Sequence, residues 1–138
     1  VLRNAQLELQ QEGIPHRANV PVGMMIEVPA AAIMADTFAA EVDFFSIGTN
    51  DLTQYTLAAD RGNSKVAHLY NTANPAVCAL IRHTIEAAHR HGIPCGVCGE
   101  AGADPALQPS LIRWGVDELS MTPSRILPSR MEISKIRL

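Results

Sequence analysis

Hydrophobic and polar positions fall in short blocks along the chain, and the blocks have two different periods. Residues 1–12 are polar with a thin apolar stripe at Leu2, Ala5 and Leu9, and Gly13 and Pro15 follow. That pattern predicts a surface helix with a glycine stop. Val20 to Val28 is a β-branched and methionine-rich run, short enough for a buried strand. Pro29 ends it, and Ala31, Met34, Ala35 and Phe38 then recur at helical spacing between Ala30 and Ala40. Phe44 to Gly48 predicts a second strand, with a polar loop from near Asn50 that contains Arg61-Gly62-Asn63-Ser64. Pro75 to His91 predicts the clearest helix: proline suits its first turn, Val77, Leu80, Ile81, Thr84, Ile85 and Ala88 form one apolar face, and Gly92 suits its end.

Pro94 to Val97 predicts a third strand. Asp104-Pro105 resembles a helix cap and first position, with Pro109 set to break a helix begun there. Val116 to Met121 predicts a fourth strand, and residues 123–138 a proline-interrupted helix. Alternation of strand and helix implies an α/β fold with a parallel sheet. Four (β/α) units suit either a small doubly wound sheet or half of an eight-fold barrel.

In such sheets, side chains at the carboxyl ends of neighbouring strands converge on one mouth. Glu27, Asn50-Asp51 and Cys98 each stand at or just past such an end. Hard cations such as Mg²⁺ take oxygen ligands, with one or two carboxylates from the protein and the rest from substrate and water. A single carboxylate is better explained as an arginine partner or a helix cap. Two at adjacent strand ends, one preceded by Gly48-Thr49-Asn50, favour a metal-assisted site for an anionic substrate. Gly48-Thr49-Asn50-Asp51 alone reads as an ordinary polar turn. Arg61, in a glycine-flanked loop, has a guanidinium suited to gripping a phosphate or carboxylate, a weak signal by itself.

Cys95-Gly96-Val97-Cys98 has the spacing of a redox or zinc pair, but residues three apart in a strand face opposite ways and no second pair completes a zinc site. Cys95 therefore reads as a core thiol, and Cys98 as a group that gives or takes a proton. Met24, Met25, Phe44 and Phe45 read as core. The five histidines show no metal-helix pattern, and His83 and His89 read as solvated.

The chain has 138 residues, enough for one domain with a core, and is 47% hydrophobic and 18% charged. No apolar stretch approaches the roughly 20 residues of a membrane span, so a soluble chain is expected. The opening Val1-Leu2-Arg3 lacks an initiator Met and the marks of a signal peptide, which suggests a single partial domain, residues 1–138, from a longer protein. A net charge of −3 gives no support to nucleic-acid binding, so an anionic substrate would rely on a few placed cations. Three cysteines, an odd count, argue against a disulfide framework and for a reducing, cytoplasmic compartment.

Three motifs carry a family resemblance. Met25-Ile26-Glu27-Val28-Pro29-Ala30-Ala31 resembles a strand-end motif of phosphoenolpyruvate-utilising enzymes. Asp43 to Gln54, with Gly48-Thr49-Asn50-Asp51 at its centre, resembles their signature segment almost word for word, and Cys98-Gly99-Glu100 resembles their thiol turn. Within that superfamily, Tyr55 to Asn63 looks most like the enzyme I family of the bacterial sugar phosphotransferase system. Pyruvate phosphate dikinase and phosphoenolpyruvate synthase look less close.

The resemblance runs from about residue 13 to 128 and implies a (β/α)8 barrel of which this chain is roughly the second half. It implies that Glu27 and Asp51 bind Mg²⁺, that Asn50, Asp51 and Arg61 hold phosphoenolpyruvate, and that Cys98 protonates C3 of the enolate left when the phosphoryl group departs. The implied partners are a phosphohistidine N-terminal domain, a small phosphocarrier protein and a second subunit of a homodimer. The family's phosphorylated histidine and further substrate arginines lie outside this chain, so this part alone is expected to be inactive. Ala101-Gly102-Ala103-Asp104 departs from the family's commoner wording after the thiol turn. The competing expectations are a dikinase or synthase fragment, which Tyr55 to Asn63 argues against, and a non-catalytic binding or dimerisation module whose open sheet edges invite association.

Overall fold

The computed structural model describes residues 1–137. Helix α1 (Leu2–Gln11) precedes four strand–helix units. These are β1 (Gly23–Ile26) with α2 (Pro29–Ile33) and α3 (Ala35–Ala39), and β2 (Phe44–Gly48) with α4 (Thr49–Leu57) and α5 (Pro75–Arg90). Then come β3 (Cys95–Cys98) with α6 (Gln108–Arg113), and β4 (Glu118–Leu119) with α7 (Pro123–Ile133). Short 3-10 turns cover Ala67–Leu69 and Glu100–Ala103. Among the described residues, no helix is long and apolar enough to cross a membrane.

The strands pair in parallel in their chain order, β1-β2-β3-β4. Among the described residues the order never reverses, so these four strands have no switch point of the doubly wound kind. The register sorts side chains into two faces. Ile26 pairs with Ile47, Ile47 with Val97 and Val97 with Leu119; the first three are buried, as are Phe45 and Cys95, on the face covered by α2, α3 and α5. Burying each such aliphatic side chain is worth about 1.5–3 kcal/mol. The other face carries the row Met25, Ser46, Gly96 and Glu118 and the pair Gly48–Cys98. Among the described residues no helix packs on it, and Met25 and Phe44 stand exposed there. The expectation that Met24, Met25, Phe44 and Phe45 are all core is thus corrected for two of them. Successive strand residues face opposite ways, so Met24 and Phe45 reach the helices and Met25 and Phe44 do not.

Helix α5 forms as its sequence dictates. The Asn74 side chain accepts a hydrogen bond from the Ala76 N–H at 2.9 Å, Pro75 occupies the first turn, and Val77, Ile81, Thr84, Ile85 and Ala88 are buried. Other segments differ from expectation. The strand over Val20–Val28 shortens to four residues, and the helix over Ala30–Ala40 divides at Met34. The loop expected near Asn50 is instead the first turn of α4, whose Thr49, Leu52 and Thr53 are buried. Pro109 does not break a helix, because α6 starts at Gln108 and a first-turn proline has no intrahelical N–H bond to lose. Asp104 caps the preceding turn, accepting from the Ala106 N–H at 2.9 Å.

Candidate functional site

The carboxyl ends of β1, β2 and β3 lie side by side, and the residues of interest follow from that. Glu27 leaves β1 and lies against the end of β2. A Cβ on Gly48 would stand 3.0 Å from Glu27 Cβ, 3.1 Å from Glu27 Oε2 and 3.2 Å from Met25 Sδ. The absence of a side chain at Gly48 is what lets the Glu27 carboxylate rest on the rim. Asp51 sits one turn further, in the first turn of α4, where the aligned peptide dipoles favour a carboxylate. Its Oδ1 pairs with Arg61 Nη2 at 3.4 Å, with side chains 40% and 45% exposed. An ion pair this open contributes at most about 1 kcal/mol, so both groups can exchange partners.

Cys98, the last residue of β3, is half-buried on the uncovered face. Its Sγ lies 3.4 Å from the Ile47 carbonyl oxygen, 3.6 Å from Ser46 Oγ, which donates to it, and 3.8 Å from Met25 Sδ. Asn50 Oδ1 accepts from the Glu100 N–H at 3.1 Å, and its main-chain carbonyl accepts from the Tyr70 hydroxyl at 3.1 Å. Buried Thr49 donates to the Cys98 carbonyl at 2.7 Å. One rim thus brings together Glu27, Asn50, Asp51 and Cys98, and Arg61 joins through Asp51. A cavity of about 940 Å³ adjoins it, walled by Asn50, Tyr70, Gly99, Glu100, Asp104 and Arg125. Glu27, Asp51, Arg61 and Cys98 do not line that cavity; Cys98 stands on the uncovered face, with Glu27 beside its strand partner Gly48.

Cys95 points the other way, fully buried, and burial together with the Asp117 charge pushes its thiol up to about 12. The two cysteines of this strand therefore do different things: one is inert packing and the other is reachable. At the opposite, amino end of the sheet, His89 Nε2 lies 2.9 Å from Asp117 Oδ2, which also accepts from the Cys95 N–H at 2.8 Å. His89 is therefore paired as well as partly exposed, a correction to its reading as solvated. Helix α5 carries it to the edge where β4 begins. Burial alone would push the Asp117 carboxyl up, but the Cys95 N–H and His89 outweigh it and hold the carboxyl below its ordinary value.

Among the described residues, no group of three or more His, Cys, Asp or Glu side chains forms a self-sufficient metal cage. Glu27 and Asp51 carry oxygen donors of the type Mg²⁺ takes, one or two from a protein with the rest from water and substrate. The sequence points to no role for Ser46 or Tyr70, and reads Met25 only as core and Thr49 only as part of a polar turn. For Ser46 a signal existed, since positions 44, 46 and 48 of one strand share a face. For Thr49, Met25 and Tyr70 only the folded chain supplies the neighbour.

Comparison with known proteins identifies the family. The family described as PEP-utilising enzyme, PEP-binding domain, matches residues 1–138. A phosphoenolpyruvate-protein phosphotransferase of Geobacillus stearothermophilus is 52% identical over 136 residues, covering 99% of this chain and 24% of that protein. Those of Bacillus subtilis and Enterococcus faecalis are 49% and 46% identical over the same span. The chain thus spans about a quarter of the length of the curated relatives it matches. With a match running from its first residue to its last, the chain belongs to the PEP-binding domain family of the PEP-utilising enzymes.

Proposed function

We propose that this chain is the Mg²⁺-dependent, phosphoenolpyruvate-binding part of a phosphoenolpyruvate-protein phosphotransferase, and that it supplies about the second half of a (β/α)8 barrel. The observation that carries the reading is that Glu27 lies against Gly48, with its Oε2 within 3.1 Å of the place a Gly48 side chain would take, that Gly48 pairs with Cys98, and that Asp51 follows in the first turn of α4. Two further features support barrel closure. Strands run in unbroken order, and the face opposite the helices borders a cavity of about 570 Å³ lined in part by Phe44, Ser46, Gly96 and Glu118. In a closed barrel that face is interior. The relatives named above are phosphoenolpyruvate-protein phosphotransferases, which favours this assignment over a dikinase or a synthase.

In this reading Glu27 and Asp51 hold Mg²⁺, which when bound neutralises charge on the phosphate and on the departing enolate oxygen. Arg61 exchanges Asp51 for the substrate phosphate, and Asn50, anchored through its Oδ1, orients the substrate. The P–O bond to the enolate oxygen breaks, and the phosphoryl group passes to a histidine nitrogen of a separate domain and then to a phosphocarrier protein. The enolate takes the Cys98 thiol proton at C3 and becomes pyruvate. Such transfer is mostly positioning and charge neutralisation, which two carboxylates, one cation and an arginine can provide. The partners are the phosphohistidine domain, the carrier and a second subunit.

The test is calorimetric titration of the full-length protein with phosphoenolpyruvate, with and without Mg²⁺. Binding should require Mg²⁺ and should be lost in Glu27→Ala and in Asp51→Ala. Native Mg²⁺-dependent binding in both variants would refute the assignment.

A further inference from the structure

We propose that Thr49 is a positioning residue that sets where the Cys98 thiol stands over the reacting carbon; the inference rests on the proton-donor role given to Cys98 above. Cys98 ends β3, and its side chain is placed by its own backbone and by the turn that follows. That turn is clamped from one side by the start of α4. Thr49 Oγ1 donates to the Cys98 carbonyl at 2.7 Å. Asn50 Oδ1 accepts from the Glu100 N–H at 3.1 Å, so two consecutive α4 residues hold the residues on either side of Gly99. Gly99 lies between them at φ +95, a region L side chains avoid, and a Cβ there would stand 2.7 Å from Thr49 Oγ1 and 2.9 Å from Asn50 Oδ1. The turn is pressed against the clamp with no room for a methyl group.

Thr49 is itself immobile. It is fully buried, and its main-chain carbonyl accepts from Thr53 Oγ1 at 2.7 Å. The bond from Thr49 reaches the Cys98 main chain from outside its own strand pairings. It joins the backbone that bears the thiol to the helix turn that carries Asn50 and Asp51, so proton donor, substrate amide and metal carboxylate share one frame. The remaining contacts of the thiol, to Ile47, Ser46 and Met25, all lie at 3.4 Å or more and involve sulfur, whose hydrogen bonds are weak.

The deciding variants are Thr49→Val, which keeps the shape and removes the donor, and Thr49→Ser, which keeps the donor, both in the full-length protein. Three quantities are measured for each: Mg²⁺-dependent phosphoenolpyruvate binding, the rate of enzyme phosphorylation, and pyruvate formation in deuterium oxide from substrate stereospecifically labelled at C3. Thr49→Val should bind and become phosphorylated within about twofold of native. It should form pyruvate about ten- to a hundredfold more slowly, the usual result of misplacing a reacting group by about 1 Å. Its methyl group should lose stereochemical purity as solvent replaces the thiol. Thr49→Ser should restore both rate and stereochemistry.

A Thr49→Val protein with native pyruvate formation and intact stereochemistry overturns the inference, provided Cys98→Ala slows that step. If Cys98→Ala does not slow it, the underlying proton-donor assignment is what fails. Should Thr49→Val lose substrate binding altogether while Thr49→Ser keeps it, Thr49 serves the substrate frame and not the thiol's placement, and the inference is overturned.

Discussion

Alanine at position 48, introduced in the full-length protein, tests the rim at its tightest point. Gly48 has a negative φ of −79 that alanine also adopts, so backbone strain does not confuse the outcome. The added methyl would lie 3.0 Å from Glu27 Cβ, 3.1 Å from Glu27 Oε2 and 3.2 Å from Met25 Sδ. Carbon contacts settle near about 3.5–4.0 Å, so each neighbour has to yield by several tenths of an ångström. Met25 Sδ can move, because its side chain is flexible and exposed. Glu27 Cβ is fixed to the backbone and cannot give way alone, so the carboxylate end swings off the rim. Overpacking of this kind costs about 1–3 kcal/mol of stability. The larger effect is on metal binding, because Mg²⁺ requires near-ideal octahedral oxygens at about 2.0–2.1 Å. Changes to residues that orient a ligand typically weaken metal binding about ten- to a hundredfold. The Mg²⁺ concentration giving half-maximal phosphoenolpyruvate binding, read by calorimetry at a series of Mg²⁺ concentrations, should rise by that factor, and excess Mg²⁺ should restore turnover. An unchanged Mg²⁺ dependence would show that Glu27 is not a ligand. So would a loss of turnover that excess Mg²⁺ fails to relieve while substrate binding stays intact.

Cys98→Ala should leave enzyme phosphorylation within about threefold of native and slow pyruvate release by about a hundredfold, the usual scale of one positioned acid; rapid-quench assays of the two products separate the steps, and lost phosphorylation would contradict the role. Arg61→Lys keeps the charge but not the bidentate fork, and should raise the phosphoenolpyruvate KM about tenfold or more with Mg²⁺ dependence retained, as steady-state kinetics would show. Cys95, buried with its thiol pushed up to about 12, should resist iodoacetamide at pH 8 while Cys98 reacts, with mass spectrometry as the readout. Because Cys95 ionises less readily folded than unfolded, its contribution to stability is complete below about 9 and is lost as pH rises toward 12, a decline that thermal melts of Cys95→Ala should lack. The Asp117 carboxyl has the opposite sign: lowered on folding, it stabilises above its unfolded value of 3.8 and loses that effect as pH falls through its lower folded value, so acid melts of Asp117→Asn should be flatter.

Period and punctuation in the chain were sufficient to place the strands and the long helix. Pro75 and Gly92 bracket α5 because proline and glycine act on their own backbone, whatever surrounds them. The apolar runs ending at Ile26, Gly48 and Val97 mark the rim because strands buried by helices must be apolar and must end where polar groups begin. Candidate chemistry followed from position alone: Glu27, Asp51 and Cys98 each stand at such an end. Local reasoning failed where a residue's role depends on a distant neighbour. The Asn50 segment reads as a loop by composition, yet Thr49, Leu52 and Thr53 find burial that pulls it into α4. Met25 and Phe44 are as apolar as the core, and only the arrangement of helices on a single face leaves them outside it. Pro109 reads as a breaker until the true start of α6 puts it in the first turn.

By itself, then, the sequence determined the β/α alternation, the strand-end carboxylates and thiol, and the family, because these reside in local backbone preference and in words of consecutive residues. Only the tertiary structure decided that Gly48 yields its place to Glu27, that Asp51 holds Arg61, and that Thr49 grips the turn bearing Cys98. Those contacts join residues up to 49 positions apart, and such a hydrogen bond exists only once the strands have been brought side by side.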